Sequence, residues 1–175
     1  MSIEILTQEE QLVAELERLG IRYLSRQTNY QAQDVRPPWM LLVDLIQQPS
    51  SRIRTAVIAV LLARPEYAQA IPTALERLQP RDRWTLKLFY TAAVLLQKEY
   101  AQHLRPFLGN RWQWLPDWFS SEFGLNAQKT PRELLRFLGL QHRQYTDTHL
   151  NWMGTYVNVA QQLLRRWELE NLWNR

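Results

Sequence analysis

The chain contains three histidines, His103, His142 and His149, and two of them follow an arginine at the same spacing. Five residues separate Arg143 from His149, and five separate Arg136 from His142. A histidine can transfer a proton near neutral pH, and an arginine can hold a phosphate through two parallel hydrogen bonds. The pair of Arg143 and His149 is therefore the first candidate for chemistry, and a phosphodiester is the substrate that it would suit.

The spacing of Arg143 and His149 resembles the Arg-x4–6-His motif of HEPN-type helical ribonucleases. In that family the two side chains act on the RNA phosphodiester, usually across a dimer, and the resemblance implies the same roles for this pair. The polar Asn that often follows the motif arginine is Gln144 in this chain. With 18 arginines in the chain, composition alone gives about one such pair. The alternative interpretation is a solvated linker followed by a histidine at a helix start.

His142, Asp147 and His149 have side chains that can bind a metal, and they stand close together in the chain. Metal ligands on a helix need a spacing of three or four residues, whereas these three precede the last predicted helix. Asp147 is more simply the N-cap of that helix. We predict no metal site and no cofactor, because no Gly-rich phosphate loop, nucleophile elbow or paired-carboxylate motif occurs.

Basic and aromatic residues alternate where the middle of the chain ends, at Arg105, Arg111, Trp112, Trp114 and Trp118. This pattern is typical of a surface that stacks single-stranded nucleic acid. The interpretation that we favour is that these Trp side chains fill the space against the C-terminal helices, because each Trp buries a large area. A spacing of two places Trp112 and Trp114 on different helical faces, so we expect at least one of them to be partly exposed.

A second group of cations surrounds Pro80 within residues 77–87, and we call it the basic turn. Its members are Arg77, Arg81, Arg83 and Lys87. Charge at a turn between helices is ordinarily only solvated. The basic turn is nevertheless the place where we expect an anionic partner, because residues 37–109 carry a net charge of +4 while residues 1–36 carry −2.

Composition excludes several other classes of protein. The 175 residues include no Cys, which removes disulfide frameworks, cysteine-based zinc sites and cysteine nucleophiles. The hydrophobic fraction of 46% is too high for a disordered chain. We expect a soluble, cytoplasmic protein that does not enter a membrane, because no signal peptide is recognisable and the longest charge-free apolar runs have nine residues.

Helical periodicity and capping signals cover nearly the whole chain, and no alternating β-branched run predicts a strand. Thr7 and Glu10 form a capping box, and Gly20 ends the first helix. Further helices are predicted over about residues 39–47, 50–64, 83–100, 116–123, 130–139 and 147–172, with another that starts at 65 and restarts at a capping box formed by Thr73 and Glu76.

The middle of the chain contains an internal repeat. Ala59–Leu62 recurs 34 residues later as Ala93–Leu96, and Glu66–Gln69 recurs 33 residues later as Glu99–Gln102. A period of this length is typical of helix–turn–helix units that stack on one another, and the pair resembles HEAT-like α-hairpins. Chance is the alternative, because helices rich in Ala and Leu repeat short blocks.

We therefore predict a single all-α domain over residues 1–175, built of stacked antiparallel α-hairpins and a Trp-rich helical cap. Residues 1–24 form an acidic N-terminal helix, residues 37–109 the repeat-like scaffold and residues 110–175 the cap. The predicted function is a non-catalytic scaffold that binds another protein, since stacked hairpins expose extended faces. The acidic N-terminal helix is the candidate contact for a homodimer.

The alternative function is action on nucleic acid. It has two forms, a HEPN-like ribonuclease that uses Arg143 and His149, and an RNA or DNA binder that uses the basic turn. The candidate binding residues for a partner or a nucleic acid are Arg77, Arg81, Arg83, Lys87, Trp112 and Trp114.

Overall fold

The computed structural model describes residues 6–25, 35–146 and 149–175, and its regular structure within these ranges is entirely helical. The prediction of an all-α protein is confirmed. The α-helices are α1 (Gln8–Arg18), α2 (Pro38–Ile46), α3 (Ser51–Arg54), α4 (Ala56–Ala63), α5 (Ile71–Arg77), α6 (Pro80–Leu108), α7 (Pro131–Thr146) and α8 (Trp152–Trp173). Two 3-10 segments, Pro65–Ala70 and Gly109–Arg111, follow α4 and α6.

The helix starts with the strongest local signals are confirmed. At α1 the Thr7 amide donates to the Glu10 carboxylate at 2.8 Å, and the Glu10 amide donates to the Thr7 hydroxyl at 3.2 Å. At α7 the same reciprocal pair forms between Thr130 and Glu133. Such caps satisfy amides that a helix cannot satisfy itself. Gly20, which follows α1, has a φ of 89°, a left-handed conformation that favours glycine.

Helix α6 is the centre of the packing, because it lies against α4, α7 and α8. Every residue of α4 is buried, as the apolar composition around its whole circumference predicts. Prolines open two of the neighbouring helices, with Pro72 in the first turn of α5 and Pro80 at the start of α6. A proline is tolerated there because the amide it lacks would have no partner in the helix.

The N-terminal helix packs on its own chain. Leu12 and Leu16 of α1 are fully buried in the common core. Beyond α1, the Trp167 Nε1–H of α8 donates to the Gly20 carbonyl at 2.8 Å, and Arg22 forms an ion pair with Glu170 at 2.9 Å. The apolar face of α1 is thus covered within the chain. A homodimer would have to form through another surface, and it stays a prediction.

Several predicted boundaries in the middle of the chain are wrong. The helix predicted over 50–64 is divided at Thr55 into α3 and α4. The predicted capping box of Thr73 and Glu76 does not form, because α5 begins at Ile71 and Thr73 lies inside it. Helix α6 begins before Arg83 and continues past Tyr100 to Leu108, with non-helical angles at Tyr100 (φ −109°, ψ 16°).

The repeated blocks occupy related places in this structure. Ala59–Leu62 lies in α4 and Ala93–Leu96 in α6, and these two helices pack against each other. Glu66–Gln69 lies in the 3-10 segment after α4, and Glu99–Gln102 spans the kink of α6. In the first unit the helix breaks at Arg64 (φ −132°, ψ 70°) between the two blocks, whereas the second unit runs through them as one kinked helix.

The Trp-rich segment after α6 does not form the short helix predicted over 116–123. Residues 112–118 have no regular secondary structure and are followed by a turn that Gly124 closes with a φ of 65°. Side chains of α6 satisfy polar groups of this backbone: Gln97 accepts from the Leu115 amide at 2.8 Å, and the Tyr90 hydroxyl donates to the Pro116 carbonyl at 2.7 Å. Because α6 provides these partners, the segment needs no helix of its own.

Helix α7 continues through Gly139, where the sequence predicts its end, and reaches Thr146. A Cβ atom at Gly139 would lie 2.8 Å from the backbone nitrogen of Met153 in α8. This glycine therefore serves a close approach between two helices instead of ending one of them. The predicted start of the last helix at residues 147–148 lies outside the described residues, and α8 begins at Trp152 with Asn151 as its N-cap.

Candidate functional site

Arg143 and His149 lie together on the surface. Because α7 runs past Gly139, Arg143 belongs to its last turns, and His149 stands in the segment that leads to α8. The Arg143 Nη2 and His149 Nδ1 atoms are 3.4 Å apart, and both side chains are exposed. They border a depression of about 280 Å³ that Arg136 and Asn151 also line. The structure thus brings together the pair that the sequence singled out.

The chemistry of this contact assigns the proton of His149. A guanidinium group can only donate hydrogen bonds, so His149 Nδ1 accepts with its lone pair. The other ring nitrogen, Nε2, is then left to form a hydrogen bond with a bound group. Arg143 keeps further N–H groups with which to hold an anion. The pair can therefore bind an anion and donate hydrogen bonds to it.

The second pair with the same spacing does not converge. Arg136 lines the depression beside Arg143, whereas His142 is buried in another part of the structure. On a continuous helix a separation of six residues corresponds to a rotation of about 240°, so the two side chains leave α7 in different directions. His142 also does not gather with His149 and Asp147 in a described metal site, since Asp147 lies outside the described residues.

His142 sits among aromatic side chains. Its ring stacks on Trp152 with the centroids 3.5 Å apart, and its Nδ1 lies 2.6 Å from the Tyr156 hydroxyl oxygen. Burial, with a smaller contribution from the charge of Arg54, lowers the pKa of His142 to about 3. This histidine is therefore neutral at physiological pH. It is a structural histidine of the core, distinct from the exposed His149.

The cations of the basic turn are mostly engaged within the chain. The Arg77 guanidinium lies 4.9 Å from the Trp39 ring centroid, and Arg83 donates to the Leu78 carbonyl at 2.7 Å. Lys87 forms an ion pair with Glu122 at 2.8 Å. Arg81 is exposed and has no ion pair within the described ranges. Arg81 lines a cavity beside α6.

The Trp-rich segment presents both buried and exposed rings. Trp114 is 49% exposed, which confirms that at least one of Trp112 and Trp114 is partly accessible. The Arg105 guanidinium lies 5.0 Å from the Trp112 ring and 5.2 Å from the Trp114 ring. Arg111 donates to the Ala63 carbonyl at the end of α4. Both arginines of this predicted stacking surface thus already have intramolecular partners.

Sequence analysis missed an apolar surface on the outer side of α7. Phe137 is 58% exposed, Leu140 49% and Leu150 50%. We call these three residues, with Arg136, Arg143 and His149 at their border, the α7 surface. The signal was present, because Leu140 lies opposite the buried Leu134, Leu135 and Leu138 once α7 is continued past Gly139. Leu150 falls within the helix predicted over 147–172 but precedes α8 in the structure.

The fold and site define an all-helical protein with an aromatic core around His142 and an exposed arginine–histidine pair. Comparison with protein-family models, with curated proteins and with solved structures found no match to this chain. Within residues 6–25, 35–146 and 149–175, no three His, Asp or Glu side chains lie close enough to hold a metal ion. No helix of the same ranges is long and apolar enough to cross a membrane.

Proposed function

We propose that this protein is a non-catalytic helical domain that binds another protein through the α7 surface. The observation that carries the proposal is the exposure of Phe137, Leu140 and Leu150 at 58%, 49% and 50%. Phe137 and Leu140 are neighbours on one helix, and Leu140 and Leu150 line the same depression. Grouped exposed apolar side chains with a polar border are typical of interaction sites.

The border of the α7 surface indicates the chemistry of the partner. Within the described residues neither Arg136 nor Arg143 has an ion pair, and the hydrogen-bond partner of the Arg143 side chain is His149. Two cations without carboxylate partners favour a segment with acidic side chains around an apolar centre. The partner that we expect is therefore an acidic, amphipathic segment of a protein.

The scaffold behind this surface is the second part of the proposal. The repeated blocks of α4 and α6 lie on helices that pack together, which supports a HEAT-like stacked pair over residues 37–109. The kinked α6 would then be a second hairpin whose two arms have merged. Such a scaffold would hold α7 rigidly, because α6 contacts α7 along the core.

The test is a pull-down of the full chain from its native cells with three baits. The wild type and the Leu172→Ser variant are expected to recover one partner in stoichiometric amount, because Leu172 is exposed at the end of α8, away from the depression. The Phe137→Ser/Leu140→Ser variant should lose it, with an unchanged unfolding midpoint. A wild type without a stoichiometric partner, or a double variant that keeps it, would contradict the proposal.

A second function is favoured by the 3.4 Å contact between Arg143 and His149. In this alternative the protein cleaves RNA as the HEPN-type resemblance implies. The 2′-oxygen attacks the phosphorus, the bond to the 5′-oxygen breaks, and a cyclic phosphate and a 5′-hydroxyl form. Arg143 holds the phosphate, and His149, protonated on both ring nitrogens and released from its contact with Arg143, gives a proton to the leaving oxygen. His149 of a second copy would accept the 2′-hydroxyl proton.

The ribonuclease alternative is tested with labelled single-stranded RNA in the presence of a chelator. His149→Ala and Arg143→Ala are each expected to slow cleavage by about 100-fold, whereas His103→Ala is the matched control because His103 is also exposed. Equal cleavage by all four proteins would identify a contaminant. No cleavage by the wild type would remove the alternative and leave the protein-binding proposal standing.

A further inference from the structure

A larger cavity lies between α6 and the last turn of α7. It has a volume of about 600 Å³ and is also lined by the corner between α2 and α3 and by residues at the start of α8. Leu150 and Trp152 separate it from the Arg143–His149 depression, because each of them lines both. Cavities of this size hold small organic ligands.

His142 is part of the wall of this cavity and keeps a hydrogen-bond donor that no described residue uses. The residue lines the cavity although it is only 1% exposed. Tyr156 is fully buried and its hydroxyl contacts His142 Nδ1, so the hydroxyl satisfies itself by donating to that atom. The imidazole hydrogen is then on Nε2. Among the described residues Nε2 has no hydrogen-bond partner.

Positive charge converges on the same cavity from two elements. Arg54 is fixed in the wall because its Nη1 donates to the Gln48 carbonyl at 2.9 Å and to the Pro49 carbonyl at 2.7 Å. Its other N–H groups are free of partners within the described ranges. Arg81 lies in the first turn of α6, whose cap residue Gln79 forms no side-chain hydrogen bond with the helix amides. The helix start thus adds its own partial positive charge.

The remaining lining side chains limit the ligand to a single negative charge on an apolar body. Asp82 contributes a carboxylate, so with Arg54 and Arg81 the lining side chains among the described residues carry one net positive charge. Among the described residues, the apolar part of the wall comes from five side chains: Ile46, Pro49, Phe89, Leu150 and Trp152. A dianionic phosphate would place a second charge near Asp82, whereas a carboxylate matches the net charge and the planar guanidinium groups.

We propose that this cavity is a binding site for a small organic acid of the aromatic carboxylate class. The carboxylate lies between Arg54 and Arg81 at the start of α6, and the His142 N–H donates to it. The ring packs against Phe89 and Trp152. This site shares Leu150 with the α7 surface, whereas Phe137 and Leu140 do not line it.

The first test is calorimetric titration of the full chain with 1-naphthoate. One equivalent is expected to bind to the wild type. Uncharged 1-naphthalenemethanol should bind to the wild type about tenfold more weakly, and 1-naphthoate should bind to the Arg81→Met variant about tenfold more weakly. Arg132→Met is the matched control, because Arg132 is exposed on α7 and does not line the cavity. Inorganic phosphate is the third ligand. Phosphate that binds more tightly than 1-naphthoate would overturn the ligand class.

The second test locates the ligand through the histidine side chains. In a protein with ¹⁵N-labelled histidine, saturation with 1-naphthoate should shift the ring signals of His142 and leave those of His103 unchanged. The Phe137→Ser/Leu140→Ser variant should bind 1-naphthoate as the wild type does. The proposal would be overturned if 1-naphthoate did not bind at millimolar concentration. It would also be overturned if binding left the His142 signals unshifted, or if the Arg81→Met variant bound as tightly as the wild type. None of these results depends on finding a protein partner.

Discussion

At the scale of single residues, His142 connects three helices of the core. It belongs to α7, stacks on Trp152 of α8, shares a hydrogen bond with Tyr156 of α8 and lies 5.7 Å from the ring of Phe89 in α6. Burial also raises the pKa of the Tyr156 hydroxyl well above 10, so this group keeps its proton. A histidine whose ring is neutral and whose partner is fixed gives the core a defined arrangement at neutral pH.

His142 predicts a specific loss of stability in acid. Its pKa is about 3 in the folded protein and 6.5 without the fold, so between these values the unfolded chain binds one proton more. The contribution of His142 to the free energy of unfolding is therefore fully present above pH 6.5. It falls as the pH drops toward 3, by up to about 1.4 kcal/mol per pH unit. Urea unfolding at pH 7.5, 5.5 and 4.5 measures this slope.

The variant His142→Phe isolates the contribution of this residue. It keeps an aromatic ring on Trp152 but leaves the Tyr156 hydroxyl unpaired, so we expect a loss of about 1–3 kcal/mol at pH 7.5. Unfolding of this variant in acid should take up one proton fewer, so its free energy of unfolding should depend less steeply on pH. His103→Gln serves as the control because His103 is exposed, and it should keep the wild-type slope. A wild-type slope in His142→Phe would show that other groups cause the acid loss.

At the scale of helices, the contact between α7 and α8 depends on Gly139. Replacement by Ala improves helix propensity by about 1 kcal/mol, yet the added Cβ would meet the Met153 backbone nitrogen at 2.8 Å. Because a backbone atom of a packed helix cannot yield as a side chain does, we expect Gly139→Ala to destabilise the protein by about 1–3 kcal/mol. Chemical denaturation measures this change.

The exposed Gln144 on the same helix provides the control for this substitution. Gln144→Ala should change the free energy of unfolding by less than about 0.5 kcal/mol. A Gly139→Ala variant as stable as the wild type would mean that α7 and α8 separate without cost. The depression that contains Arg143 and His149 would then depend little on the helix contact.

The starts of two helices can be predicted from the sequence, whereas the end of one of them cannot. The starts of α1 and α7 were predicted because Thr7 and Thr130 form caps with residues three places later. The end of α7 was not, because Gly139 looks like a helix end locally and only Met153 of another helix gives it its role. A hydrogen bond between residues three places apart can be predicted from their types, whereas the close approach of two helices depends on the whole fold.

The candidate site also has features that the sequence predicts and features that it does not. The spacing of Arg143 and His149 indicated their contact, because both residues belong to one short stretch of chain. The exposure of Leu140 could not be predicted while α7 was thought to end before it. The larger cavity draws its lining from α2, α3, α6, α7 and α8, so no local pattern marks it.

At the scale of the whole molecule, one hydrophobic core joins the N-terminal residues to the C-terminal helix. Leu16 of α1, Leu61 of α4 and Leu163 of α8 are fully buried members of the same cluster. The Gly20–Trp167 hydrogen bond and the Arg22–Glu170 ion pair tie the same ends. Elements that share a core are expected to unfold together.

This shared core predicts that Leu16→Ala and Leu163→Ala will act on a single unfolding transition. Each change removes a fully buried side chain and should cost about 2–5 kcal/mol, whereas Leu172→Ala, which is exposed, should cost less than about 0.5 kcal/mol. Circular dichroism and tryptophan fluorescence should give coincident urea transitions in every variant, with a lower midpoint in the first two. If Leu16→Ala instead produced a separate early transition, α1 would be an independently docked arm and its apolar face would be free to contact a second copy of the chain.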